Sequence, residues 1–128
     1  MKQSFYQALF TNDEFAVAIG RLTLCSAKLE STIRTFIDAR GKVDVPERTP
    51  LGGLIKALIK HHVIDRTAGE HLQFVLNQRN YFVHKLHSNL SNYPENEFEL
   101  RRFINRATAL SEEMEFYSAL LAQAPVEV

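Results

Sequence analysis

Cysteine is nearly absent from this chain: the one copy, Cys25, has no partner for an internal disulfide. The amino terminus lacks a basic segment leading into a long apolar run and a small-residue cleavage site, so a reducing, cytoplasmic setting is expected. Nowhere do apolar residues continue for the roughly 20 positions that a bilayer span requires, which excludes a transmembrane helix. Net charge is missing too, because 15 basic and 15 acidic residues cancel at neutral pH. Without the long-range positive field of nonspecific nucleic-acid binders, any contact with a polyanion has to be local. No stretch alternates apolar and polar residues between turn signals and no internal repeat is present, so sheet and solenoid architectures drop out.

What the chain does have is helical periodicity. Its 128 residues suit one domain, 1–128, large enough to bury roughly two-thirds of the unfolded surface without a disulfide or metal staple. Thr11 and Asn12 stand before Asp13 and Glu14, a capping oxygen followed by acids at the positive end of a helix dipole. Phe15, Ile19, Leu22, Cys25, Leu29, Ile33 and Phe36 then recur at three- and four-residue steps, which predicts one amphipathic helix to about Arg40, stopped by Gly41. The stretch from Gly41 to Pro50 reads as a loop, and a short helix is expected from about Leu51 to His62. Asp65 or Thr67 caps a third helix carrying Leu72, Val75, Leu76, Phe82, Val83, Leu86 and Leu90, broken by Ser91 to Pro94. Glu95, Glu97 and Glu99 open the last helix, which offers Phe98, Phe103, Ile104, Leu110, Met114, Tyr117 and Leu121 for burial and runs to about Gln123, before Pro125. The first ten residues add a short helix or a partner-facing arm. The expected fold is an all-α bundle of four to five helices.

The third helix carries the chemistry. On a wheel of about 100° per residue, Leu72, Val75, Leu76, Val83, Leu86 and Leu90 share one arc, and Arg79 falls near its middle. Asn80, His84 and His87 share the neighbouring flank, with Asn80 one turn from His84. A permanent charge at a core-facing position needs either a structural partner, for which Glu30 beside the first helix's apolar stripe is the candidate, or the negative charge of a ligand. The guanidinium fork suits phosphate well.

Arg79-Asn80 followed by His84 resembles the signature of the HEPN superfamily: an arginine, a polar residue directly after it, and a histidine four to six residues beyond the arginine, all on a helix. The surrounding stretch from Val75 to His84, with Tyr81 inside it as a supporting residue, is similar in its apolar spacing, and the helical bundle covers nearly the whole chain. The resemblance implies a metal-independent endoribonuclease of the toxin or phage-defence kind. It further implies a homodimer whose motif-bearing helices meet at the two-fold axis, with Arg79 and His84 catalytic, Asn80 supporting, no cofactor, and 2′,3′-cyclic phosphate ends on the product. RNA is then the substrate, and an antitoxin or regulatory protein is a further partner. Spacing points the same way, since five residues turn Arg79 and His84 about 140° apart and one straight helix does not easily aim both at one phosphate. In one HEPN branch, toxins paired with a nucleotidyltransferase antitoxin, a tyrosine two residues after the histidine is modified; here Leu86 stands at that position.

Other features read more plainly. Lys85, Arg101, Arg102 and Arg106, with His87, would form a basic rim guiding RNA, where the ordinary reading is a solvated face. His84 and His87 lack the further ligands of a metal site. Cys25 sits on an apolar stripe and is expected in the core. The stretch from Pro50 to Ile64, with the Arg79 and His84 pair, is also similar to the mannitol operon repressor family. That likeness implies a non-catalytic helical interaction or regulatory module, and Asn80 is the feature that favours the ribonuclease over it.

Overall fold

The structure, a computed structural model, describes residues 3–40, 45–85, 90 and 97–123. These hold five helices and no strand: α1 (Gln3–Phe10), α2 (Asp13–Arg40), α3 (Leu51–Lys60), α4 (Arg66–His84) and α5 (Glu97–Gln123). No helix among the described residues is long and apolar enough to cross a membrane. The bundle class and the five elements follow the periodicity of the sequence.

The junction between α1 and α2 is built from side-chain oxygens. Thr11 Oγ1 donates back to the Gln7 carbonyl at 3.0 Å and closes α1, while Asn12 Oδ1 accepts the Phe15 amide at 2.9 Å and opens α2. Asp65 holds the cap position of α4, but its side chain makes no capping hydrogen bond. The α3–α4 turn is tight because the chain enters the left-handed region at His62, with φ 53°. His62 donates its amide to the Ile59 carbonyl at 3.1 Å and Val63 to the Leu58 carbonyl at 3.0 Å, the paired bonds of a Schellman stop. This ends α3 at Lys60, two residues short of the expected His62.

Two long helices, α2 and α5, run side by side in the same direction. Glu14 meets Arg101 at 2.8 Å at one end, and Lys28 meets Glu115 at 2.9 Å further along. In contrast, α4 runs antiparallel to α5, with Phe82 against Phe103 and His71 against Tyr117. Close approach of α4 to α3 depends on glycine: a Cβ at Gly69 would lie 2.5 Å from Ile59 Cγ1. The main core joins α2, α3, α4 and α5 through residues such as Leu29, Ile33, Leu58, Val75 and Met114. A second cluster of Phe5, Leu9, Leu90, Leu100 and Phe103 lies under α1, and Phe82 and Ile104 pack against both.

Three expectations need correction. The third helix stops at His84, where the Lys85 amide closes the last turn on the Tyr81 carbonyl at 2.9 Å, so Leu90 is buried from outside the helix, in the second cluster. Val83 is exposed, because it lies in the last turn of α4, beyond the buried Leu72, Val75 and Leu76. Phe98 is 70% exposed instead of buried, since it lies on the side of α5 opposite Phe103 and Leu110. Leu86, Pro94, Glu95 and Pro125, and the proposed stop at Gly41, lie outside the described residues.

Two glycine exchanges test these turns in opposite directions. His62→Gly removes the left-handed penalty of a side chain and should raise unfolding free energy by about 1 kcal/mol in urea titration. Gly69→Ala forces Ile59 out of place, and that overpacking should outweigh the helix propensity of alanine, for a net loss of about 1 kcal/mol.

Candidate functional site

The C-terminal turns of α4 hold the motif. Leu72, Val75 and Leu76 face the core, so the helix rotation is fixed and each following residue takes its direction from it. Arg79 lies half-buried on the inward side, Asn80 is half-buried on the flank, and His84 is exposed as the last helical residue.

Arg79 is a partly buried charge with an unmatched donor. Its Nε is buried and has no hydrogen-bond partner among the described residues. Loss of solvent pulls the guanidinium below its ordinary arginine value, and the negative charge of Glu30 on α2 opposes that fall. Glu30 therefore faces Arg79 as the sequence suggests, and its influence acts through space while Nε stays unbonded. The guanidinium is only partly buried, and its planar fork is the kind of group that binds a phosphate oxygen pair.

Along the rest of the basic rim, the structure separates residues that the sequence lists together. Arg101 turns toward α2 and pairs with Glu14 at 2.8 Å. Arg102 and Arg106 turn the other way, toward α4, where both line a pocket with Phe82, Glu99 and Phe103. Arg106 donates to Gln78 Oε1 at 3.3 Å and stands 6.0 Å from the centroid of the Phe82 ring. Lys85 is exposed and caps α4, while Tyr81 is half-exposed and meets Phe82 edge to face. His87 lies outside the described residues. Reading the chain helix by helix misses Gln78, Phe82 and Glu99. The available signal was the spacing of Glu99, Arg102, Phe103 and Arg106 at i, i+3, i+4 and i+7, one flank of α5.

Cys25 is partly buried against the core, and burial followed by the charge of Glu115 pushes its thiol up from the usual value. Such a thiol stays protonated near neutral pH and is a poor nucleophile. Among the described residues, no group of three or more His, Cys, Asp and Glu side chains is placed to hold a metal ion.

Replacing the arginine separates a ligand-binding role from a structural one. Arg79→Met keeps the length of the side chain and removes a charge with an unbonded Nε, so the urea midpoint should hold or rise. A drop of about 2 kcal/mol or more would show instead that Glu30 and Arg79 form a structural pair. Comparison with protein-family models, with characterised proteins and with solved structures finds no match to this chain, so its function is argued from the residues of α4 and α5 themselves.

Proposed function

We propose that this chain is a HEPN-like, metal-independent endoribonuclease of the toxin or phage-defence kind, working as a homodimer that cuts RNA between the α4 helices of two copies. The observation that carries this reading is Arg79, a half-buried guanidinium with a buried, unbonded Nε, set directly before Asn80 and five residues before an exposed His84. The cation is partly withdrawn from water with one donor unmatched, and the imidazole at the end of the same helix is open to solvent.

In the reaction, His84 of one copy takes the proton of the ribose 2′-hydroxyl while the 2′-oxygen attacks phosphorus. The partner's His84 gives a proton to the departing 5′-oxygen as the P–O5′ bond breaks. The products are a 2′,3′-cyclic phosphate and a 5′-hydroxyl. Arg79 binds the non-bridging oxygens and stabilises their growing charge, and Asn80 orients the imidazole or holds a phosphate oxygen. Two copies are required because the same histidine serves once as base and once as acid, and a two-fold axis supplies both from one sequence.

A second reading, an interaction or regulatory module, draws on a different observation. Phe74 and Tyr81 lie seven residues apart on one face of α4, and both are about half exposed, at 51% and 50%. The two readings part in one assay. Purified protein incubated with mixed RNA in EDTA should cut it and leave cyclic-phosphate ends. His84→Ala and Arg79→Ala, with unchanged helicity, should each lose roughly 10²- to 10⁴-fold in rate. No cutting by any form at high protein concentration would remove the ribonuclease and leave the module.

A further inference from the structure

Next to the motif, but not part of it, is a pocket of about 350 Å³ between α4 and α5, lined by Phe82, Glu99, Arg102, Phe103 and Arg106. We propose that this pocket receives a guanine base of the RNA and gives the enzyme a preference for cutting beside guanosine. The proposal rests on the ribonuclease reading above and adds a substrate specificity to it.

Size and walls come first. A pocket of this volume is at the small end of ligand sites, suited to one base with its sugar and too small for a folded partner segment. Phe82, partly exposed, supplies an aromatic face and is backed edge to face at 5.3 Å by the buried Phe103. The Arg106 guanidinium, held by Gln78 and set beside Phe82, adds a planar cation. Unpaired bases are bound in this way, stacked on aromatic rings and guanidinium planes.

The polar groups then choose among the bases. Guanine presents two neighbouring N–H donors, at N1 and N2, and two acceptors, at O6 and N7. A carboxylate can accept both donors at once, and the arginine fork can donate to both acceptors. Glu99 and Arg102, three residues apart on one flank of α5, bring one group of each kind to the same pocket. With about four acceptor sites, the carboxylate can take the guanine edge alongside a contact of its own. Adenine would turn the N1 lone pair toward Glu99 and its amino group toward arginine, and cytosine would place its N3 lone pair and amino group likewise. Uracil offers only a single N–H. Guanine alone matches both charges.

Position makes the preference relevant to cleavage. Arg79 precedes Phe82 by three residues, about 60° round the helix and about 4.5 Å along its axis, so the pocket flanks the guanidinium that would bind the scissile phosphate. Sequence preference would thus arise from a local site in a chain whose overall charge is zero.

Binding and cutting are tested separately. His84→Ala protein is titrated into labelled uridine heptamers that carry one central guanosine or one central adenosine, followed by fluorescence anisotropy. The guanosine heptamer should bind about ten-fold more tightly, the discrimination expected of one bidentate contact. Glu99→Gln in the same background, with helicity unchanged, should abolish that difference between the two heptamers. Equal binding of the two heptamers, or a preference that survives Glu99→Gln, overturns the proposal. Cut sites of the wild-type protein in mixed RNA give the second arm. Cutting without guanosine enrichment removes the pocket's role and keeps the ribonuclease. Guanosine-selective binding without any cutting keeps the pocket and removes the ribonuclease.

Discussion

Phe82 is where the two apolar clusters of the bundle meet, and its ring decides what the end of α4 presents. It packs against the main core and against the smaller cluster under α1, and its edge-to-face contact with Phe103 ties α4 to α5. With Phe82 turned inward, helix geometry sets Arg79 about 60° away, still on the inward side, and His84 about 160° away, facing out. One aromatic anchor thereby accounts for both halves of the site, a guanidinium drawn partly out of water and an imidazole left in it. The glycine contact with α3 fixes the same helix from its other flank, where Gly69 lets Ile59 approach. A helix held on two flanks has little freedom to relieve the cost of the buried charge by rolling.

In a chain with no net charge, the electrostatics of the site come from which cations are already engaged. Arg101 is taken by Glu14, Lys28 by Glu115, and Arg66 by Glu70 one turn away. All of these pairs are exposed and add little stability, but each lowers the local positive potential on its part of the surface. Arg79 differs because it is partly withdrawn from water, a cost that the charge of Glu30 only partly offsets. Arg102 and Arg106 differ because they face an aromatic pocket. Three cations, Arg79, Arg102 and Arg106, thus stand on or facing α4 in a chain of zero net charge, the kind of local arrangement by which a neutral protein can meet a phosphate.

Most of the fold was legible because long amphipathic stripes carry an unambiguous period. Leu22, Leu29 and Ile33 on α2, and Leu110, Met114 and Leu121 on α5, are buried as their spacing requires. Helix ends were less legible. Leu90 continues the stripe of α4 on paper, yet the helix stops at His84 and Leu90 fills a separate cluster, since apolar spacing cannot tell a residue on the helix from one returning to the core after it. Phe98 was misread for the converse reason, being apolar in a helix whose rotation is set by its neighbours. At the site, local relations along α4 were readable, including the inward position of Arg79 and the nearness of Glu30. Relations between helices were not. That Arg101 and Arg102, adjacent in sequence, serve opposite sides of α5 follows from the 100° step only once the neighbours of that helix are known.

On the proposed ribonuclease reading, the geometry of one copy calls for a second. An inward arginine and an outward histidine on one rigid helix do not converge, and bending α4 would break the contacts that Phe82 makes with both clusters. In the proposed homodimer a second copy would resolve the conflict without distortion. The proposal requires a two-fold axis beside the end of α4, across which the exposed His84 of one copy would serve the Arg79 of the other, and the reverse by symmetry. Zero net charge means that no long-range repulsion opposes the approach. A phosphate bound between the copies would then engage two guanidinium groups, each lacking a partner at Nε in the single chain, so the desolvation already suffered by Arg79 on folding becomes preorganisation for an anion.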